Sequence, residues 1–279
     1  MKIGIIGLGL IGGSIGLRLQ KLNHIVFGVT NNDINKKKAQ QRHLANYVSS
    51  DLDILKECSL IILALPVSDL INPSEELIKA IPQNAVVTDV GSIKGPIVEK
   101  WEKTHPLFIG SHPMAGNEKN GVGSGYESLL DNAKWIITPT SKTNLNSINV
   151  ICKLITSMKC EVLRTSPKQH DEAVSLISHL PIFLACSLIE TANIENNKSL
   201  LDLTEKLAAS GFADTTRVGG GNAKLGLDLA VNNQQNILQA LKRFKNKINE
   251  LEELIQEKDW ESLFQKLSKA IEIRKDFLN

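Results

Sequence analysis

The segment Gly110-Ser111-His112-Pro113-Met114-Ala115-Gly116 joins small residues, a proline and one histidine directly behind the apolar run Leu107-Phe108-Ile109. Small residues let a ligand approach the backbone closely, and proline restricts the loop. A histidine held there can exchange a proton near neutral pH. His112 is therefore the first candidate acid–base group, and the competing role is a histidine that bonds its own loop. Ser92 lies in Asp89-Val90-Gly91-Ser92-Ile93-Lys94, just past another apolar run. Its hydroxyl suits either a ligand alcohol or a helix N-cap. His179 precedes Leu180-Pro181, where proline frees a carbonyl one turn earlier and opens the helix to a polar group. Arg217 closes Gly211-Phe212-Ala213-Asp214-Thr215-Thr216-Arg217, after a helix that Gly211 is expected to end. Its guanidinium can hold a carboxylate through two parallel bonds, or pair with Asp214. His24, His43, His105 and His170 have no motif around them and read as surface or packing residues.

Positioning these groups needs a scaffold. Lys2–Ile6, Ile25–Val29, Leu60–Leu65, Ala85–Val90, Leu107–Ile109, Trp135–Thr138 and Cys160–Leu163 are short apolar runs separated by helical stretches. Such alternation predicts an α/β fold with a parallel sheet covered on both faces, and ligands beyond the carboxyl ends of its strands. Ser92 and His112 would share that rim. After Ser166-Pro167 strand runs give way to helical periodicity. Residues 1–165 are thus expected to form one domain and residues 166–279 an all-helical second one. Asp171–Ile194 is largely apolar, with a kink expected at Pro181. Ile237, Leu241, Phe244, Ile248, Leu251 and Ile255 form a heptad seam that needs a partner helix, within the chain or in a second subunit.

Gly7-Leu8-Gly9-Leu10-Ile11-Gly12 follows the first strand and opens a helix. Its spacing fits the dinucleotide fingerprint: a tight turn, close approach to a pyrophosphate, then close helix–strand packing. Gly7, Gly9, Leu10, Ile11 and Gly12 are the expected phosphate-binding residues. Strand ends add Thr30, Asn31, Leu65, Pro66, Ser92 and Met114 as cofactor contacts. An NAD enzyme usually places a carboxylate after the second strand to bind the ribose 2′-hydroxyl. Here Thr30-Asn31-Asn32 follow Val29, which favours NADP, with Lys36 or Lys37 near a 2′-phosphate. Those lysines also suit a solvated helix face, and Asp33 is a competing acid.

The totals narrow the classes. The chain has 279 residues, 42% hydrophobic and 22% charged, with a net charge of +2 and 4% aromatics. These values argue against nucleic-acid binding, which wants a basic face and stacking rings. No apolar run is expected to reach the about 20 residues that span a bilayer, and no signal peptide is read at Met1-Lys2. Cys58, Cys152, Cys160 and Cys186 are scattered, as in a reduced cytoplasmic protein. No metal-ligand spacing occurs.

Together, Gly7–Gly12, Asp89–Lys94, Gly110–Gly116, Ser178-His179-Leu180-Pro181 and Gly211–Arg217 resemble the prephenate/arogenate dehydrogenase family over nearly the whole chain. The resemblance implies a Rossmann-like domain, a helical dimerisation domain and a homodimer. The reaction it implies is oxidative decarboxylation of a cyclohexadienol. By it His112 is the catalytic histidine, Ser92 its partner at the ring hydroxyl, and Arg217 and His179 are substrate-binding residues. Two departures bear on the substrate. Ile182-Phe183 follow Pro181 where many relatives carry a second histidine, and Gly219–Lys224 replaces a proline-and-tryptophan segment. These departures and the NADP reading favour arogenate over prephenate. Two other classes remain open: a β-hydroxyacid dehydrogenase-like reductase, with Lys224 as acid–base group, and a non-catalytic NADP-binding regulator.

Overall fold

The computed structural model describes residues 1–117 and 119–278. It divides into two compact units, Met1–Gln234 and Gln235–Asn279.

The first unit is built on an eight-stranded sheet: β1 (Lys2–Ile6), β2 (Ile25–Val29), β3 (Tyr47–Ser49), β4 (Leu60–Leu63), β5 (Val86–Asp89), β6 (Phe108–Pro113), β7 (Lys134–Thr138) and β8 (Glu161–Arg164). The order is β3-β2-β1-β4-β5-β6-β7-β8. Strands β1 to β6 are parallel, whereas β7 pairs antiparallel with β6, and β8 runs parallel to β7. The sheet is thus mostly parallel. Between β6 and β7 the described residues form loop and one short 3-10 turn, Glu127–Leu130, and β7 runs back in the opposite sense.

Alternate residues of the central strands feed two cores. Leu60 and Ile62 pack with Ile15, Leu19 and Ile151 on one face. Ile61 and Leu63 pack with Leu70, Ile97 and Trp101 on the other. Such two-sided burial explains why these strands read as unbroken apolar runs.

Three local expectations change. First, β6 does not stop at Ile109: it continues to Pro113 because Gly110, Ser111, His112 and Pro113 pair with Thr138, Ile137, Ile136 and Trp135. His112 is therefore clamped in a ladder rather than carried on a loop. Second, Gly211 does not end a helix but lies in the first turn of helix Ser210–Thr216. Third, the helix at Pro181 is opened by a π turn, Ser175–His179, between helices Pro167–Val174 and Leu180–Ala192.

That continuous helix, Pro167–Ala192, has 26 residues and is long and apolar enough to cross a membrane by length and composition, against the sequence expectation. It buries His170, Asp171, Ser175 and His179 while Leu176, Ile177, Leu188 and Ile189 are exposed. Val174, Leu180 and Ala185 are buried beside these polar groups, so the helix presents a mixed buried side and a row of exposed apolar side chains.

The second unit holds helix Trp260–Leu278 and most of helix Gln234–Gln256. Lys266 and Glu250 join the two by an ion pair. Of the seam residues Ile237 is buried, Leu241, Phe244 and Leu251 are half-buried, and Ile248 and Ile255 are exposed, as are Phe264, Leu267, Ile271 and Phe277 of the last helix.

Candidate active site

The glycine turn follows β1. Gly7 has φ +94°, and a Cβ there would stand 2.2 Å from the Ala64 carbonyl oxygen. A Cβ on Gly12 would stand 2.0 Å from the Gly7 carbonyl oxygen. Both positions therefore require glycine. Gly9 differs, because a Cβ there meets nothing within 4 Å. It is also the N-cap of helix Leu10–Lys21, and no side chain caps that end. Uncapped N–H groups thus face open space beside a bare backbone, which is what a pyrophosphate needs. Leu65 adjoins Gly7, and Pro66 caps the next helix, Val67–Ile71. Thr30 follows β2 but turns inward: it is 5% exposed, and its hydroxyl donates to the Asn32 carbonyl at 3.3 Å. Asn31 is exposed, its Oδ1 accepting from Asn35 Nδ2 at 2.8 Å.

Ser92, His112, Met114 and Arg217 line one cleft of about 410 Å³, together with Asn117, Asn120, Asn222 and the apolar Ile177, Pro181 and Ile182. β5 and β6 present Ser92 and His112, and the short turn Arg217–Gly220 brings Arg217 from far along the chain. Arg217 is the one cationic side chain among the described lining residues. The Ser92 hydroxyl does not cap helix Gly95–Thr104. Asp171 does, its Oδ1 accepting from Lys94 N–H and its Oδ2 from Gly95 N–H, each at 2.7 Å. Lys224 lies on the exposed start of helix Ala223–Asn232, outside the cleft lining.

His179 is fully buried and is not among the cleft-lining residues. Its Nδ1 lies 3.2 Å from Asn233 Nδ2, and its Nε2, beside the Ser92 backbone, has no well-aligned hydrogen-bond partner among the described residues. Burial pushes its pKa down to about 4, against the pull of the Asp171 carboxylate.

His170 requires correction. It is neither a surface nor a packing residue: it is 1% exposed, and its Nε2 lies 2.9 Å from His112 Nδ1. The two rings meet edge to face, with centroids 5.1 Å apart. On its other side, His170 Nδ1 lies 2.8 Å from Asp171 Oδ1. The only sequence signal for this pair is a histidine and an acid opening a long apolar helix. Polar groups in such a place need partners, although the sequence does not name them.

Lys94 is also fully buried. Its ammonium bonds the Asp89 carboxylate and donates to the Ser111 carbonyl at 2.7 Å. Desolvation lowers its pKa, and Asp89 opposes that shift. His112 is held well below the ordinary imidazole range, first by desolvation, then by His170, Lys94 and His179. It is neutral at pH 7 and able to accept a proton.

A model of the prephenate dehydrogenase nucleotide-binding domain matches residues 15–164, and one of the prephenate dehydrogenase dimerization domain matches residues 166–269. Prephenate dehydrogenase of Bacillus subtilis (strain 168) is 32% identical over 276 residues, 96% of this chain and 74% of that protein. The crystal structure of Synechocystis arogenate dehydrogenase is 34% identical, with a TM-score of 0.85 over 99% of this chain and 100% of the other. That of prephenate dehydrogenase from A. aeolicus, in complex with hydroxyphenyl propionate and NAD+, is 28% identical, with a TM-score of 0.91 over 100% and 98%. Because these matches run through both halves of the chain, the protein belongs to the prephenate/arogenate dehydrogenase family.

Proposed function

We propose that this enzyme converts arogenate to tyrosine by oxidative decarboxylation, using NADP+. The observation that carries the reading is the single cleft shared by a neutral histidine, a serine hydroxyl and an arginine. Arogenate and prephenate each carry a ring carboxylate opposite a ring hydroxyl. Ser92, whose hydroxyl bonds no other described residue, orients the ring hydroxyl. His112 takes the proton from that oxygen. Arg217 holds a substrate carboxylate through charge-assisted bonds. The bound nicotinamide supplies the hydride acceptor. Loss of CO2 feeds electrons through the ring double bonds, and the aromatic product makes the step effectively irreversible.

The glycine cradle at Gly7–Gly12 fits a dinucleotide, and NADP is favoured by the neutral rim after β2. Asp33, the nearest acid there, accepts from the Ser50 hydroxyl at 3.3 Å. Arogenate is favoured by Ile182 in the cleft wall and by the similarity to Synechocystis arogenate dehydrogenase. The likeness to the B. subtilis prephenate dehydrogenase supports the second reading, conversion of prephenate to 4-hydroxyphenylpyruvate. Steady-state kinetics with both substrates and both cofactors decide the matter. Higher kcat/KM for arogenate with NADP+ is expected, and higher kcat/KM for prephenate overturns the substrate. Tight NADP+ binding without turnover of either substrate would leave a regulator.

A division near residue 165 and a homodimer through the helical half complete the proposal. The uncovered apolar faces of helix Pro167–Ala192 and of the C-terminal helices support the dimer, as does the dimerization-domain match. All four cysteines are free thiols, in keeping with a cytoplasmic location.

A further inference from the structure

The polar cluster behind the cleft has a direction, which follows from what each group can donate. The Asp171 carboxylate takes the Lys94 and Gly95 N–H groups at the positive end of helix Gly95–Thr104. A carboxylate has no hydrogen to give, so the 2.8 Å contact to His170 Nδ1 places the hydrogen on that nitrogen. Neutral His170 then presents a bare Nε2. His112 Nδ1, 2.9 Å away, must carry the hydrogen between them. The remaining ring nitrogen of His112, Nε2, is bare and sits on the opposite side of the ring, the side left for the cleft.

We propose that His170 and Asp171 form a relay that fixes His112 as the Nδ1–H tautomer and takes up the charge when His112 accepts the substrate proton. The substrate O–H bond breaks and an Nε2–H bond forms on His112. The Nδ1 hydrogen of His112 then passes to His170 Nε2. His112 becomes neutral again, now carrying Nε2–H. His170 holds the positive charge against Asp171, and the reverse transfers return the proton to solvent after product leaves. No oxidant enters this sequence beyond the hydride acceptor of the proposed reaction, on which the inference rests.

The surroundings explain why a relay is needed. Lys94, at the start of helix Gly95–Thr104, and His179, in the π turn, both oppose a positive charge on His112. Asp89, at the end of β5, is committed to Lys94. Asp171 is the carboxylate that reaches the histidines. His179 stands outside the relay. Asn233 Nδ2 donates to the Asp171 carbonyl oxygen at 2.9 Å, so the same amide nitrogen faces His179 Nδ1 as a donor.

Two measurements test the inference. Nitrogen NMR of the resting full-length protein, labelled at histidine and assigned with His112→Gln, reads the tautomer without substrate. Nδ1–H on His112 is expected, and Nε2–H overturns the relay. In kinetics, His170→Gln and Asp171→Asn should lower kcat about 100-fold, the scale of lost acid–base assistance, with little change in KM or NADP+ affinity. In Asp171→Asn the acid limb of the pH profile should move to lower pH, because removing the carboxylate disfavours the protonated histidine pair. A helix cap alone would cost stability and leave that limb in place, and such a result overturns the inference. If Asp171→Asn does not fold, His170→Gln keeps the cap and decides alone; parental kcat there also overturns the relay. A parent protein with the expected tautomer but no turnover of cyclohexadienols would sink the proposed reaction and leave the hydrogen arrangement standing.

Discussion

The glycine turn after β1 and the histidine end at β5 and β6 share the carboxyl rim of one parallel run of strands, yet they are built in opposite ways. The glycine turn is contiguous, Gly7 to Gly12, and its contribution is backbone: exposed N–H groups and positions where no Cβ fits. The histidine end is assembled from β5, β6, helix Pro167–Val174, the π turn and the turn at Arg217. It consists of side chains, several fully buried and each needing a partner. A backbone site tolerates most change in side chains and almost none in shape. A side-chain site tolerates small changes of shape but not the loss of one proton acceptor.

Each prediction presses on that contrast. The largest effect is expected at His112. His112→Asn keeps hydrogen-bonding capacity but loses the base, so kcat should fall about 100- to 10,000-fold while NADP+ affinity holds. Near-parental kcat in a rate assay would make the histidine end structural.

At the other end, Gly12→Ala forces a Cβ onto the Gly7 carbonyl oxygen and should abolish dinucleotide binding and lower the melting temperature. Gly9→Ala meets open space, so it should weaken binding while leaving the melting temperature unchanged. Equal losses of stability in the two variants would break the distinction between packing glycine and ligand-facing glycine.

Acid should act on the histidine end and spare the glycine turn. His179 has its pKa lowered from 6.5 to about 4, so the unfolded chain binds more protons between those values. Stability is full above about pH 6.5 and is lost as pH falls towards 4, by about 3 kcal/mol from this group. His112 shifts in the same direction. Urea midpoints at pH 7 and 4.5 check this, and His179→Gln should shrink the difference by the share of this group.

Smaller still is Arg217→Ala. Loss of a ground-state carboxylate contact should raise KM about 10-fold with a lesser change in kcat, on the scale of one charged hydrogen bond. The smallest effect is expected on the cofactor rim. Because Thr30 is turned inward, the exposed Asn31 is the position to charge. Asn31→Asp should shift the NADP/NAD ratio of kcat/KM several-fold towards NAD by repelling a 2′-phosphate, and an unchanged ratio would remove that rim from cofactor choice.

Much of this was legible in the residues. The apolar runs locate seven of the eight strands because strands buried on both faces must be continuously apolar. The glycine fingerprint is readable because its constraints act within one turn of chain. Ser92, His112 and Arg217 stand out through the motifs around them. The three-residue β3 carries too little pattern to detect, and the reversal of β7 depends on which edge the chain returns to. The π turn that carries His179 was foreshadowed only as a disturbance near Pro181.

His170 shows where local reading stops. Nothing beside it in the chain marks it, since its partner His112 is 58 positions away. The same holds for Asp171, which caps a helix that begins 76 positions earlier. The sequence by itself determined seven of the strands, the nucleotide turn and the family, because those rest on short-range sterics and burial patterns. Only the tertiary structure decided which histidine faces which and which carboxylate lies behind them. Hydrogen-bond direction is set by neighbours in space, and folding chooses those neighbours from distant parts of the chain.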